Sequence, residues 1–319
     1  MDPRFEKLFH DLARLDSQYR FDVAESAFLE RELETVRAET YEVQYAEFKW
    51  RQFVPTKPED NGAEVHKYNV SDKVGEAGFI SNYADDLKRA DVFETEVFQV
   101  IKSIGASYGW NIQELRAAAR MGKPLSSQKA AAARFVVEKL LDDIMLEGNS
   151  AKGLSGLFSL SNTLSHTIAN GAGGTKLWAD KTPDEIKEDL HAISRAIHDN
   201  SKEIERPDTI ILPTSRHGMI ADMKMGDGDN RSVLQAFLDM DEHVRAVEKS
   251  YRLETLGAGS TARMVCYTRR QDKVYGVMAQ EFEQFAPQLK NLEVLTNTHA
   301  RTGGVVSPFP KSVAYGDAF

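Results

Sequence analysis

This 319-residue chain is short of several things, and each shortage excludes something. It has one cysteine, Cys266, so no disulfide can close within it and no CxxC metal site exists. It has no basic excess: 40 Lys and Arg against 49 Asp and Glu leave a formal net charge of -9. A protein that gathers nucleic acid through its own charge carries a basic tail or stripe. The longest cationic clusters here, "RRQDK" from Arg269 and "KSYR" from Lys249, are short and interrupted. No run approaches the roughly 18 apolar residues of a membrane span. The charged opening "MDPRFEKLFHDLARLD" is no signal peptide. The expectation is an ordinary folded chain made in the cytoplasm, with no long leader removed and no membrane partner.

The motifs of catalysis are also missing. "NGAGGT" from Asn170 is glycine-rich but matches neither GxGxxG nor GxxxxGK[ST], and reads as a flexible loop. "GDGDN" from Gly226 offers Asp227 and Asp229, as a calcium loop does, but lacks the later bidentate glutamate. Ser215 and His217 are too close in sequence to converge as nucleophile and base, so Thr214 or Ser215 is expected to cap a helix instead. The eight histidines form no HExxH; His191 and His198 share a helical face at i, i+7 and read as solvated. Cys266, inside "RMVCYT", reads as a small buried hydrophobe on a strand. No enzyme, metal or cofactor is expected.

What the chain does have is extended parts without cores of their own. Phe5, Leu8, Phe9 and Leu12 fall at i, i+3, i+4, i+7 on an otherwise polar segment, the stripe of an arm lying on something else. "FVPTKPEDNGAE" reads as a connector. "AEVHKYNVSDKVGEAGFI" and "ADVFETEVFQVIKSIGASYGW" then read as a long two-stranded flap. Charges at Glu64, Lys67, Glu94 and Glu96 are expected on both of its faces. Its polar tip holds Asp85, Asp86, Lys88 and Arg89, expected to pair with charges on a neighbour. A lone two-stranded hairpin is marginal in water, so the flap needs a surface supplied from outside.

A bent rod follows, "NIQELRAAARMGKPLSSQKAAAARFVVEKLLDDIMLEG". Its first piece, Ile112 to Met121, must end near Gly122 because Pro124 cannot sit in a helix interior. Its second shows a stripe at Val137, Leu140, Leu141 and Ile144, with exposed pairs Arg134–Glu138 and Lys139–Asp143. Ser126 or Ser127 caps it and Gly148 ends it. From about 182 to 285 helices and strands alternate as in a compact α/β domain. There "TPDEIKEDLHAISRAIHDN" starts with Thr182 as N-cap, Pro183 at N1 and Glu185 at N3, and "DTIILP" is a buried strand.

In this order the parts resemble the major capsid proteins of tailed double-stranded DNA bacteriophages, the Hong Kong 97-type fold. "SIGASYGWNIQELRAAARMGKPL", "EKLLDDIMLEGNSAKGLSGLFSLSN" and the ending "RTGGVVSPFPKSVAYGDAF" carry the resemblance, which spans roughly Glu42 to Phe319. It implies an α+β fold with an N-terminal arm over 1–50 and an extended E-loop over 62–104. A peripheral domain would take 51–61, 105–181 and 286–319, with the spine helix at 111–147, and an axial domain would take 182–285. It further implies self-assembly through pentamers and hexamers into an icosahedral shell around packaged double-stranded DNA, bound without sequence specificity. Portal, scaffold and decoration proteins would be the other partners. The axial loop would be Met225, Gly226, Asp227, Gly228, Asp229 and Asn230, the most polar and glycine-rich loop of its domain. The alternative of the same fold is an encapsulin-like nanocompartment shell around a cargo enzyme.

Overall fold

Two helices end where their residues dictate. Helix Pro183–Asn200 opens on a complete capping box: the Thr182 hydroxyl accepts from the Glu185 N–H, and the Glu185 carboxylate accepts from the Thr182 N–H at 2.8 Å. Helix Ser127–Leu146 stops just before Gly148, whose φ of +82° is left-handed. A Cβ there would lie 2.6 Å from the Gly156 nitrogen, so the close turn requires glycine.

The computed structural model describes residues 45–79, 88–121, 127–226 and 228–319. The elements below all belong to one unit, Phe48–Phe319. The strands are β1 (Thr56–Pro58), β2 (Val65–Gly75), β3 (Ala90–Val100), β4 (Lys102–Asn111), β5 (Leu164–His166) and β6 (Thr209–Pro213). They continue with β7 (Ala246–Ser250), β8 (Arg263–Tyr267), β9 (Tyr275–Gln284), β10 (Gln288–Lys290), β11 (Glu293–Val306) and β12 (Val313–Asp317). The helices are α1 (Ile112–Met121), α2 (Ser127–Leu146), α3 (Pro183–Asn200), α4 (Thr214–Asp222) and α5 (Val233–Met240).

Two five-stranded sheets organise the unit. In the first, the long strand β11 pairs antiparallel with β4 along one side and with β9 and β10 along the other, and β1 runs parallel to β9. Helix α2 packs on this sheet through Val137, Leu141, Ile144 and Met145, with Trp50, Phe53 and Val305 in the same core. In the second, the order is β7-β6-β8-β12-β5. Its face is covered by α3 and α5 through Ile186, Leu190, Ile193, Ile197 and Phe237. All five residues of β6 are buried, as its apolar run implies, and Cys266 on β8 is buried beside them.

Several expectations change on folding. Leu140 is 41% exposed, because it lies on the margin of the buried arc that Ala133, Val137, Leu141 and Ile144 define. The helical pairs Arg134–Glu138 and Lys139–Asp143 do not form. Glu138 meets Arg51, Arg134 stacks on Phe282, and Asp143 binds Arg252. An i, i+4 pair contributes only about 0.2–0.5 kcal/mol, so partners from other elements displace it. The connector contains β1, whose Pro58 is tolerated because the strand sits at a sheet edge. Neither Thr214 nor Ser215 caps α4; the N-cap is Pro213, and Ser215 binds Glu254.

The chain also divides between the sheets differently from a split at residue 285. β9 belongs to the first sheet and β12 to the second, so the α/β run and the C-terminal strands exchange a strand each. The "GKP" break and Ser126 lie outside the described residues.

Candidate assembly surfaces

β2 and β3 pair from Val65↔Val100 to Gly75↔Ala90 without a shift, a hairpin with eleven residues on each side. It is shorter than 62–104. At buried Ile101 the chain leaves it, and β4 enters the first sheet. The register decides what each face presents. Tyr68, Val70, Asp72, Val74, Asp91, Phe93 and Val97 fall on one face; Val65, Lys67, Asn69, Lys73, Val92, Glu94, Glu96 and Phe98 fall on the other. Charges therefore stand on both faces; on the second, Lys67 meets Glu96 at 2.5 Å and Asn69 reaches Glu94. Neither face is cleanly apolar, as the imperfect alternation of the sequence implies, although Lys67, Glu94 and Glu96 share one of them. Large apolar side chains are exposed on both: Phe93 61% and Val74 49% on the first, Phe98 61% and Val92 53% on the second.

At the hairpin's far end Lys88 is exposed and pairs with Glu76, and Arg89 is exposed. Asp85, Asp86 and the arm residues Phe5, Leu8, Phe9 and Leu12 lie outside the described residues.

The glycine-rich loop of the second half is itself a small hairpin, Lys224–Gly226 against Asp229–Ser232. Gly226 and Gly228 take φ of +84° and +89°, which lets the chain reverse. Met225 packs partly on the core of the second sheet, Asn230 is exposed, and Asp227 lies outside the described residues. Asp229 is held by the Arg231 guanidinium at 2.8 Å, and that hydrogen bond lowers its carboxyl to about 2. The carboxylate is thereby committed to an internal partner, unlike a calcium ligand.

The chemical alternatives are tied up in the same way. His191 and His198 are partly buried, not solvated. His191 Nδ1 lies 3.0 Å from Asp241, and the His198 ring lies 5.2 Å from that of His243 in one cleft. Among the described residues no set of three metal-ligating side chains converges. In the glycine-rich loop at Asn170, the Ala172 N–H is taken by Glu185 at 2.6 Å. Burial pushes the Cys266 thiol up, which leaves it unreactive.

Sequence reasoning misses one cluster altogether. Arg252, in the turn after β7, reaches Asp142 and Asp143 on α2 and Glu147 just past its end at 2.8, 2.5 and 2.5 Å. Asp142 also accepts the Lys49 and Trp50 N–H groups at 3.0 Å each. Burial opposes the Arg252 charge, but the carboxylates outweigh it and hold the guanidinium above its ordinary value. The only prior signal is the acidic spacing of Asp142, Asp143 and Glu147 on a helix, which does not reveal its distant partner.

The comparisons agree with this anatomy. A family model described as "Major capsid protein" matches residues 75–318. The capsid of Myoviridae phage XM1 superposes with a TM-score of 0.78 at 14% identity, covering 91% of this chain and 98% of that one. A Mycobacterium phage Ogopogo chain gives 0.58 at 11% identity, covering 90% and 98%. A virus-like particle from Pyrococcus furiosus gives 0.55 at 10%, covering 84% and 91%. No curated protein sequence matches.

Proposed function

From the premise that the chain belongs to the major capsid protein family, structural proteins of phage heads and not enzymes, we propose how its parts serve a shell. Copies associate as pentamers and hexamers, and these close into an icosahedral head around packaged double-stranded DNA. The hairpin Val65–Val100 is the extended E-loop. The first sheet with α1 and α2 is the peripheral domain, and the second sheet with α3, α4 and α5 is the axial domain. The hairpin Lys224–Ser232 faces the symmetry axis. Because β9 and β12 exchange between the sheets and β5 joins the second, the axial part runs from about 182 to 270 and adds 164–166 and 313–317.

The observation that carries this reading is a long hairpin that leaves large apolar side chains exposed on both faces. Tyr68 packs at its base against Ile101, Tyr275 and Val277. Farther out, Val74 and Phe93 meet solvent in an isolated chain. Two strands alone do not hold such a face stably, and a second copy of the same chain supplies the missing surface. The net charge of -9 suits a lining that does not grip DNA tightly, with filling left to a separate motor. Portal, scaffold and decoration proteins are the further partners, and assembly takes place in the host cytoplasm. No helix among the described residues is long and apolar enough to cross a membrane. The nanocompartment alternative shares the fold, but the family match favours the head.

Deleting Asn69–Val92 tests the reading. The remaining two-sheet body is expected to fold, with native circular dichroism, while closed shells vanish from negative-stain micrographs. Normal shells from the deleted chain would remove the hairpin from the assembly surface.

A further inference from the structure

The hairpin is a lever, and its root is built unlike the rest of it. From Lys67 outward its residues are exposed or half-buried, but His66, the second residue of β2, is 4% exposed. Both nitrogens of its ring are engaged. Nδ1 contacts the Glu59 carboxylate, and Nε2 lies 3.0 Å from the Tyr275 hydroxyl. Glu59 is itself fixed to the first sheet, since its N–H donates to the Met278 carbonyl at 2.9 Å. Tyr275 begins β9, is buried, packs edge-on to the His66 ring and carries Lys57 over its other side at 5.0 Å.

For the neutral ring the bonding pattern has one consistent assignment. A carboxylate only accepts, so Nδ1–H donates to Glu59 and Nε2 accepts from the Tyr275 O–H. Burial pushes that phenol up to about 12, so it keeps its proton and remains a donor. A flipped ring would lose both bonds inside a buried site, which is costly. The ring is thus locked from two directions, by residues of β9 and of the turn after β1.

We infer that the Glu59–His66–Tyr275 chain is the positioning element that aims the hairpin, and that His66 sets where its outer half meets the next copy. This rests on the reading of the hairpin as the arm that meets a neighbour. Leverage gives the root its importance. Eleven residues at about 3.3 Å each make an arm of about 36 Å, so a ten-degree change at the root moves the far end by about 6 Å. Packed interfaces match to within atomic contact distances, so a displacement of that size separates the surfaces. Other root contacts secure the backbone, among them the Ile101 N–H on the Glu64 carbonyl and Arg301 on the Ala63 carbonyl. Among the described residues, Gln99 reaches one group of the body, the Gly153 carbonyl, and His66 alone among the hairpin side chains is hydrogen-bonded to two.

The test uses the full chain as wild type, His66→Ala, Tyr275→Phe, the double variant, and the Asn69–Val92 deletion. Tyr275→Phe keeps the ring packing and removes only the hydroxyl, so it decides the matter if His66→Ala does not fold. The expected result is native circular dichroism for Tyr275→Phe, with at least a fivefold loss of closed shells in negative stain. The double variant is expected to lose no more than His66→Ala alone, because both act through one bond; a merely destabilising pair would add. Wild-type yield and diameter from folded Tyr275→Phe or His66→Ala would overturn the inference. Normal shells from the deletion would overturn the hairpin's role itself, and this inference with it.

Discussion

Arg252 places one guanidinium nitrogen 2.8 Å from the Asp142 carboxylate, joining the turn after β7 in the second sheet to the helix that packs on the first. Both side chains are nearly buried, at 9% and 3% exposure. Breaking a buried pair from one side leaves the other charge uncompensated, at a cost of about 3–5 kcal/mol. Arg252→Met is therefore expected to lower the unfolding free energy by about 3 kcal/mol in guanidinium chloride titrations. Asp142→Asn in the same background is expected to recover part of that loss. Strict additivity of the two changes would contradict the coupling.

Gly148 and Gly156 stand against each other where α2 gives way to the following turn. A Cβ on Gly156 would lie 2.3 Å from the Gly148 nitrogen, and both obstacles are backbone. Gly148→Ala and Gly156→Ala are each expected to cost about 2–4 kcal/mol, through strain and forced backbone movement. Gly259 has φ +71° but open space around its Cβ position, so Gly259→Ala should cost only about 1 kcal/mol. Thermal melts of the three variants measure the contrast, and equal losses would refute it.

Opposite faces of the hairpin predict two outcomes from neighbouring residues. Phe93→Asp replaces an exposed apolar side chain opposite Asp72 with a charge and is expected to leave the melting temperature of the free subunit nearly unchanged, since the side chain is exposed. Shell yield is expected to fall at least tenfold. Glu94→Ala, on the opposite face, removes one exposed contact to Asn69 and is expected to leave yield within about twofold. Sedimentation of assembled against free protein distinguishes them, and a reversed order would exchange the faces.

Burial lowers the pKa of His166 from 6.5, with Asp189 opposing the shift, and burial lowers that of His217 as well. The unfolded chain takes up these protons more readily, so stability is full above about pH 6.5 and falls as pH drops toward the depressed folded values. Asp317 acts lower down: burial works against its charge, but Arg263 and the Ala258 N–H outweigh it and hold it below 3.8. Its contribution is present above the ordinary carboxylate value and disappears as pH falls through the folded one. Calorimetric melts from pH 8 to 5 should show a declining midpoint, and His166→Gln should flatten the decline. An unchanged slope in that variant would count against the assignment.

The parts legible in the sequence are those that local chemistry decides. Thr182, Pro183 and Glu185 specify a helix start among themselves, Gly148 specifies a helix end, and the apolar run at Thr209–Pro213 specifies a buried strand. The misreadings involve partners far away in the chain. Glu138 finds Arg51 instead of Arg134, and Asp143 finds Arg252 instead of Lys139. β9 and β12 follow long-range pairing that no window of the sequence displays. The hairpin is legible as a hairpin, but its faces depend on a register that only pairing reveals. His198 and His243 meet from positions 45 apart, and Glu59 and His66 meet Tyr275 from more than 200 positions away.

The exchange of β9 and β12 between the sheets bears on how the molecule is made. β11 is the central strand of one sheet, and β12 lies between β8 and β5 in the other. Both come late in the order of synthesis, so during translation the first sheet waits for its central strand, which ends at Val306, and the second waits for the strand that joins β5 to β8. A partial product ending before Val313 therefore has its first layer complete and its second layer open, with β5 left unpaired.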